Sequence, residues 1–115
     1  MPQSDLIEQF VAIVGADNVL TAANDMAPHL VDWRGRYHGL ARCVVRPATT
    51  SEVSSIVRTC AQAGVAIVPQ GGNTSHCGAS IPDRSGEAVL ISLSRLNKIR
   101  AIDPANNTIT VEAGC

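Results

Sequence analysis

"CVVRPATTSEVSSIVRTCAQAGVAIVP", residues 43–69, is the stretch whose reading decides the fold. Cys43, Val44 and Val45 form a short apolar run that Pro47 stops, since proline gives no donor to a ladder. Thr49 and Glu52 stand three apart and predict a capping box at the start of a helix. Val53, Ile56, Val57, Cys60 and Ala61 then recur on one helical face, and Gly64 supplies the stop. "VAIVP", residues 65–69, is apolar at every position and predicts a strand covered on both sides. Strand, helix and strand together predict a βαβ unit with parallel strands and a right-handed crossover.

On the amino-terminal side, residues 4–14 predict an amphipathic helix. Ser4 is its expected cap, Asp5 and Glu8 suit its positive end, and Gly15 ends it. Leu6, Ile7, Phe10, Val11 and Val14 form its apolar stripe. Residues 16–41 have weak periodicity and a break at Pro28, and predict a connecting arm with one helical turn around Met26. On the carboxyl side, "AVLISL", residues 88–93, predicts a third strand. "KIRAID" and "TITVE" flank "PANN", a turn rich in Pro and Asn, and predict a strand pair. The fold class expected is α/β (α+β), with a helical arm over residues 1–42 and an α/β lobe over residues 43–115.

Bulk properties exclude several functions. The chain has 115 residues, 45% hydrophobic and 17% charged, the balance of a folded globular protein. Its net charge of −1, with eight scattered Arg and the single Lys98, draws it to neither nucleic acid nor anionic membrane. No apolar run approaches the length of a membrane span. Asp5 and Glu8 stand where a secretory signal would carry lysines, so a cytoplasmic location is expected. Cys43, Cys60, Cys77 and Cys115 contain no CxxC pair and read as buried thiols in a reducing compartment.

Between the second and third strands lies "QGGNTSHCGAS", residues 70–80. Gly71 and Gly72 admit backbone angles closed to other residues. Successive amides in such a turn can form a concave anion-binding nest. Asn73, Thr74 and Ser75 add side-chain donors, and Gly78, Ala79 and Ser80 make a second small-residue turn. Two adjoining turns suit a diphosphate. The spacing is neither GxGxxG nor a Walker loop, and no helix follows directly. On these grounds alone a tight structural turn and an anion site remain equal readings.

The wider context carries a resemblance. "VVRPATTSEVSSIVRTCAQAGVAIVPQGGNTSHCGASIPD", residues 44–83, followed by "ISLSRLNKIRAIDPANNTITVEAG", residues 91–114, resembles the amino-terminal FAD-binding (PCMH-type) region of the FAD-linked oxidase family that includes vanillyl-alcohol oxidase. Within that family it is most similar to the D-2-hydroxyglutarate and D-lactate dehydrogenase branch, and "VDWRGRYHGLA", residues 31–41, is similar to that branch's entry segment. The resemblance implies a small α/β lobe whose Gly-rich loop wraps the FAD pyrophosphate. Gly71, Gly72, Asn73, Thr74 and Ser75 would contact the diphosphate, with Gly78, Ala79 and Ser80 closing the second turn. Arg46 and Pro47 would end the first strand near the cofactor, and Ala113 and Gly114 would approach it from the last.

Departures from the pattern bear on chemistry. Relatives commonly carry "GGNTGLVGGS", so Ser75 and Ala79 replace glycines, and His76 and Cys77 replace apolar residues. His76 and Cys77 read either as a covalent flavin anchor or metal ligand, or as a packed or solvated loop histidine and a buried cysteine. The second reading is preferred, with no metal expected. Relatives with a histidyl flavin link carry that histidine where this chain has Asn73, so the FAD is expected to be non-covalent. Asp32, Arg34, Arg36, Tyr37 and His38 imitate an active site but read as salt bridges and capping between arm and lobe, and His29 and His38 as surface residues.

The function implied is the FAD-binding portion of a flavoenzyme that oxidises a small D-2-hydroxy acid. The catalytic residues of such an enzyme would lie in segments this chain does not contain, so none is assigned, and these residues alone are expected to be inactive and to self-associate. The rival reading is a non-catalytic binding or assembly module that keeps the lobe's fold.

Overall fold

The structure, a computed structural model, describes residues 3–115. Helix α1 runs from Gln3 to Val14. Ser4 therefore lies inside the helix and does not cap it. Strand β1, Val19–Leu20, follows a short 3-10 turn, and a single helical turn, α2, spans Ala23–Met26. Strand β2 is Cys43–Val45, helix α3 is Thr50–Ala63, and strands β3 and β4 are Ile67–Gln70 and Val89–Ser92. Strands β5, Ile99–Asp103, and β6, Thr108–Val111, close the chain.

Helix α3 has the punctuation its sequence predicts. The Glu52 N–H donates to Thr49 Oγ1 at 3.1 Å, and the Ala48 N–H donates to Glu52 Oε1 at 2.7 Å. Such a box satisfies donors that the first helical turn leaves orphaned, typically worth about 1 kcal/mol. Gly64 ends the helix in the left-handed region at φ 67°. The expected apolar face is narrower than predicted. Ile56 and Cys60 are buried, while Val57 is 42% exposed and Ala61 is exposed.

The sheet has the order β1-β2-β4-β3. Strand β4 runs parallel to both neighbours, with Val44 opposite Leu90 and Val68 opposite Leu90. The expected βαβ unit is thus split, because β4 enters between the two strands that α3 connects. This placement also corrects the reading of "VAIVP" as doubly covered. Strand β3 is an edge and only partly buried, whereas all four residues of β4 are buried. Strand β1 was read as part of the arm; it pairs antiparallel with β2 through Val19–Val45 and Leu20–Val44.

Strand alternation sorts the core into two faces. Cys43, Val45, Val89 and Ile91 share one face and pack with Leu6, Phe10 and Val14 of α1 and Ile56 and Cys60 of α3. Val44, Val68, Leu90, Gln70 and Ser92 share the other. Gln70 on that face bonds to His29 and Ser80, which places the arm and the β3–β4 connection over it. That connection spans residues 71–88 without helix or strand. Structureless connections of this length in small domains usually serve a function.

Strands β5 and β6 form a separate two-stranded sheet, as predicted. Its turn is held by Asp103, whose Oδ1 accepts from the Asn106 N–H at 3.3 Å, and by Asn107 in the left-handed region at φ 52°. A cleft of about 350 Å³ lies between the lobe and this hairpin, lined by Thr50, Val53, Leu93, Leu96, Val111 and Ala113 among others. Among the described residues no helix is long and apolar enough to cross a membrane.

Candidate cofactor-binding loop

The loop leaves the carboxyl end of edge strand β3, the end of a parallel sheet at which open α/β folds bind ligands. Gly71, Gly72, Thr74 and Ala79 are exposed, Asn73, Ser75 and Gly78 half-buried, and Ser80 buried. The left-handed backbone does not fall on the glycine pair, as expected from sequence, but on Asn73 at φ 57° and Gly78 at φ 74°. Asn73 is one of the few side-chain-bearing residues that tolerates this region, because its short amide can bond locally.

The glycine pair therefore has another reason to be there. A Cβ at Gly72 would meet nothing within 4 Å, and one at Gly71 would come no nearer than 3.7 Å to the Ala113 carbonyl oxygen. The protein's own packing does not demand glycine at either position. Bare backbone there leaves room for a group from outside the chain. The backbone N–H groups of residues 71–76 also donate to no group among the described residues. Six consecutive unspent donors over two bare glycines suit an anion rich in oxygen acceptors, such as the FAD diphosphate.

The side chains of Asn73 and Ser80 are committed inward. Asn73 Nδ2 donates to the Val31 carbonyl at 2.7 Å, and Ser80 Oγ donates to Asn73 Oδ1 at 2.9 Å. Ser75 Oγ accepts from the Cys77 N–H at 3.2 Å. Of the predicted side-chain donors, Thr74 alone makes no bond among the described residues. Gly78 has a packing requirement: a Cβ would sit 2.9 Å from the Tyr37 ring. Ala113 is brought to Gly71, and Gly114 is wedged against Leu93, whose carbonyl oxygen a Cβ would overlap at 1.7 Å. Arg46 is half-buried and its carbonyl accepts from Arg95 Nη1 at 2.7 Å; Pro47 is buried.

His76 packs edge-on against Trp33, with ring centroids 5.4 Å apart, and the Arg34 guanidinium lies over the same indole at 4.8 Å. Cys77 is exposed, which corrects its reading as a buried thiol, and Cys115 is exposed too. Cys43 and Cys60 are buried as expected, and burial, with Cys60 alongside, pushes the Cys43 thiol up to about 12. Such a thiol stays protonated and unreactive at neutral pH.

The polar cluster of the arm does not form salt bridges. Arg100–Glu112, at 3.1 Å, is the one ion pair among the described residues. Asp32 instead organises its own turn. Its Oδ1 accepts from the Tyr37 N–H at 2.8 Å, and that bond, with weaker ones from Arg36 and Arg34, holds the carboxyl below its ordinary range. His29 is half-buried and bonded to Gln70, not a free surface residue. Sequence reasoning missed Gln70. Its signal is a polar residue at the end of an apolar strand, immediately before the glycines.

A split parallel sheet with a long, glycine-bearing connection at its carboxyl end defines the class: an open α/β module of the kind that binds nucleotide cofactors. The profile of the family described as FAD binding domain matches residues 41–115, and the chain belongs to that family. FAD is accordingly its cofactor. A rice protein, "Probable D-2-hydroxyglutarate dehydrogenase, mitochondrial", is 38% identical over 112 residues, covering 97% of this chain and 20% of its own length. A yeast (Saccharomyces cerevisiae) D-2-hydroxyglutarate–pyruvate transhydrogenase is 34% identical over 113 residues, covering 96% of this chain and 22% of its own length. Among solved structures, p-cresol methylhydroxylase matches with a TM-score of 0.80 at 25% identity, covering 96% of this chain and 22% of that one. The chain thus spans about a fifth of the length of the curated relatives it matches.

The expectation of a cytoplasmic location is overturned, because the rice and Arabidopsis thaliana relatives are named as mitochondrial proteins. Asp5 and Glu8 argued only against a secretory signal, and that argument has no bearing on an organelle.

Proposed function

We propose that residues 71–80 hold the FAD diphosphate and that the lobe serves an enzyme oxidising a D-2-hydroxy acid. The observation that carries the loop assignment is the run of unspent N–H groups over Gly71 and Gly72. The flavin, when bound, supplies the acceptor for a hydride from the substrate's α-carbon. What this chain's residues do is bind. The N–H groups of residues 71–76 meet phosphate oxygens, Thr74 adds its hydroxyl, and Gly78, Ala79 and Ser80 form the second turn, with Asn73 and Ser80 fixing its shape through their side chains. The substrate class is supported by the names of the relatives, which are dehydrogenases of D-2-hydroxyglutarate and, in fission yeast, a putative one of D-lactate.

Three narrower readings go with it. The arm is residues 1–42 and the cofactor lobe residues 43–115. FAD attachment is non-covalent, supported by Asn73, an amide without the nucleophilic nitrogen that a flavin link requires. The lobe in isolation self-associates, supported by the exposed apolar residues of β5 and β6.

The test of the loop is Thr74→Asp in the full-length protein. A carboxylate placed against the diphosphate replaces a neutral donor, and a charge-assisted contact is worth about 1.5–3 kcal/mol. FAD affinity is expected to fall more than tenfold; retention of FAD at wild-type affinity would remove the loop from the site. Acid precipitation is expected to leave the flavin in the supernatant, and flavin pelleting with the protein would overturn non-covalent attachment.

A further inference from the structure

Arm and loop meet in register. His29 and Val31 bond to Gln70 and Asn73, and Trp33 packs on His76. The arm then reverses through the Asp32 turn, closed by the Val31–His38 bridge, so that Tyr37 covers Gly78 and Gly39 abuts Pro82. The deepest of these contacts is Gln70, only 3% exposed. Its Nε2 donates to the carbonyl oxygens of His29 at 2.8 Å and Ser80 at 3.1 Å. Carbonyl oxygens only accept, so this geometry fixes the amide's orientation and turns Oε1 toward His29 Nδ1, 2.9 Å away. An acceptor at that distance requires the proton to sit on Nδ1 of His29.

We propose that His29, donating from Nδ1 to Gln70, is a positioning residue for the cofactor loop. It locks the amide that ties the residue before the glycine pair to the second turn at Ser80. The loop's unspent N–H groups are thereby pre-set, and FAD does not have to order them on binding. This inference rests on the reading that the loop holds the FAD diphosphate.

His29→Asn and His29→Leu separate a donor from mere bulk. The two replacements have nearly the same shape, and only asparagine carries an N–H near the position of Nδ1. The measurements are FAD affinity of the purified protein by flavin fluorescence, and amide hydrogen exchange of residues 30–40 without FAD. The exchange reports the arm's bonded amides, such as Gly39 to the Leu30 carbonyl and Leu40 to the Asp83 carbonyl. His29→Leu is expected to weaken FAD binding about tenfold, the effect of leaving one buried acceptor unpaired, and to speed exchange. His29→Asn is expected to keep both near wild type. Equal behaviour of the two variants, whether both intact or both impaired, overturns the proposal. Faster exchange in His29→Leu with unchanged FAD affinity overturns it as well. In that last case Thr74→Asp decides whether the loop assignment falls with it: FAD retained there removes the loop, and FAD lost there leaves the loop and removes only His29.

Discussion

In strand β4 every residue is buried, while in β5 and β6 every residue is exposed. Both regions are rich in β-branched and aliphatic residues, although β5 also carries Arg100 and Asp103. What differs is the cover. Strand β4 lies between two parallel neighbours, under α1 and α3 on one face and the arm and loop on the other. The hairpin has one partner strand and no layer against either face among the described residues. Its register shows that the apolar part of this exposure lies on one face. Ile102 pairs with Ile109 and Ile99 with Val111, and the irregularity between Ile99 and Ala101 brings Ile99 onto the face of Ile102. Four apolar side chains thus gather on one side, each at least 45% exposed. Strand propensity made the hairpin, but only a covering layer makes a core.

The largest test of this contrast is a pair of truncations. Phe10→Ala, in the fully buried cluster, is expected to cost about 3–5 kcal/mol in urea unfolding. Ile102→Ala, 65% exposed, should cost less than about 1 kcal/mol, the scale of a cross-strand pair. Comparable losses would mean the hairpin is packed in solution. A middle-sized effect is expected at the junction of the two regions. Gly114 donates to the Leu96 carbonyl at 2.8 Å, and a Cβ there would collide with Leu93 backbone. Gly114→Ala should destabilise by about 1–3 kcal/mol, as other overpacked sites do. An unchanged melting temperature would show that the hairpin swings freely of the lobe.

The smallest effect concerns pH. The Lys98 N–H, followed by Arg100, holds the Glu112 carboxyl below its ordinary value of 4.5. A carboxyl depressed on folding stabilises fully above that ordinary value, and its contribution disappears as the pH falls through the folded-state value. Amide protection in β5 and β6, the exchange rate taken relative to its intrinsic value at each pH, should therefore fall below pH 4.5 in the wild type, more steeply than in Glu112→Gln. Equal pH dependence in the two proteins would show that the pair on the hairpin contributes nothing to its order.

The parts of the fold legible in the sequence are those with local causes. Thr49, Glu52 and Gly64 announce α3 because capping is decided within a few residues. The "PANN" turn is legible for the same reason. Strand β1 was not, since Val19 and Leu20 are a strand only through their pairing with β2. The edge position of β3 was hidden because apolar run length cannot say which strand lies in the middle. At the loop, the residue types allowed an anion site and a plain tight turn equally, and the resemblance alone pointed to FAD. The backbone assignment was misplaced by sequence: freedom was ascribed to the glycine pair, yet the turn is made at Asn73 and Gly78. The bond from Asn73 to Val31, 42 residues earlier, helps to hold that turn and leaves no local trace.

The strand order has a consequence for synthesis. Because β4 separates β2 from β3, a ribosome that has delivered both of those strands and the helix between them has delivered no parallel pair. The residues of the glycine loop emerge next, before the strand that joins the two halves of the sheet. The arm residues that hold the loop, His29, Val31 and Trp33, are by then already made. The sheet beneath the loop is complete only once Ser92, the last residue of β4, has left the machine that made it.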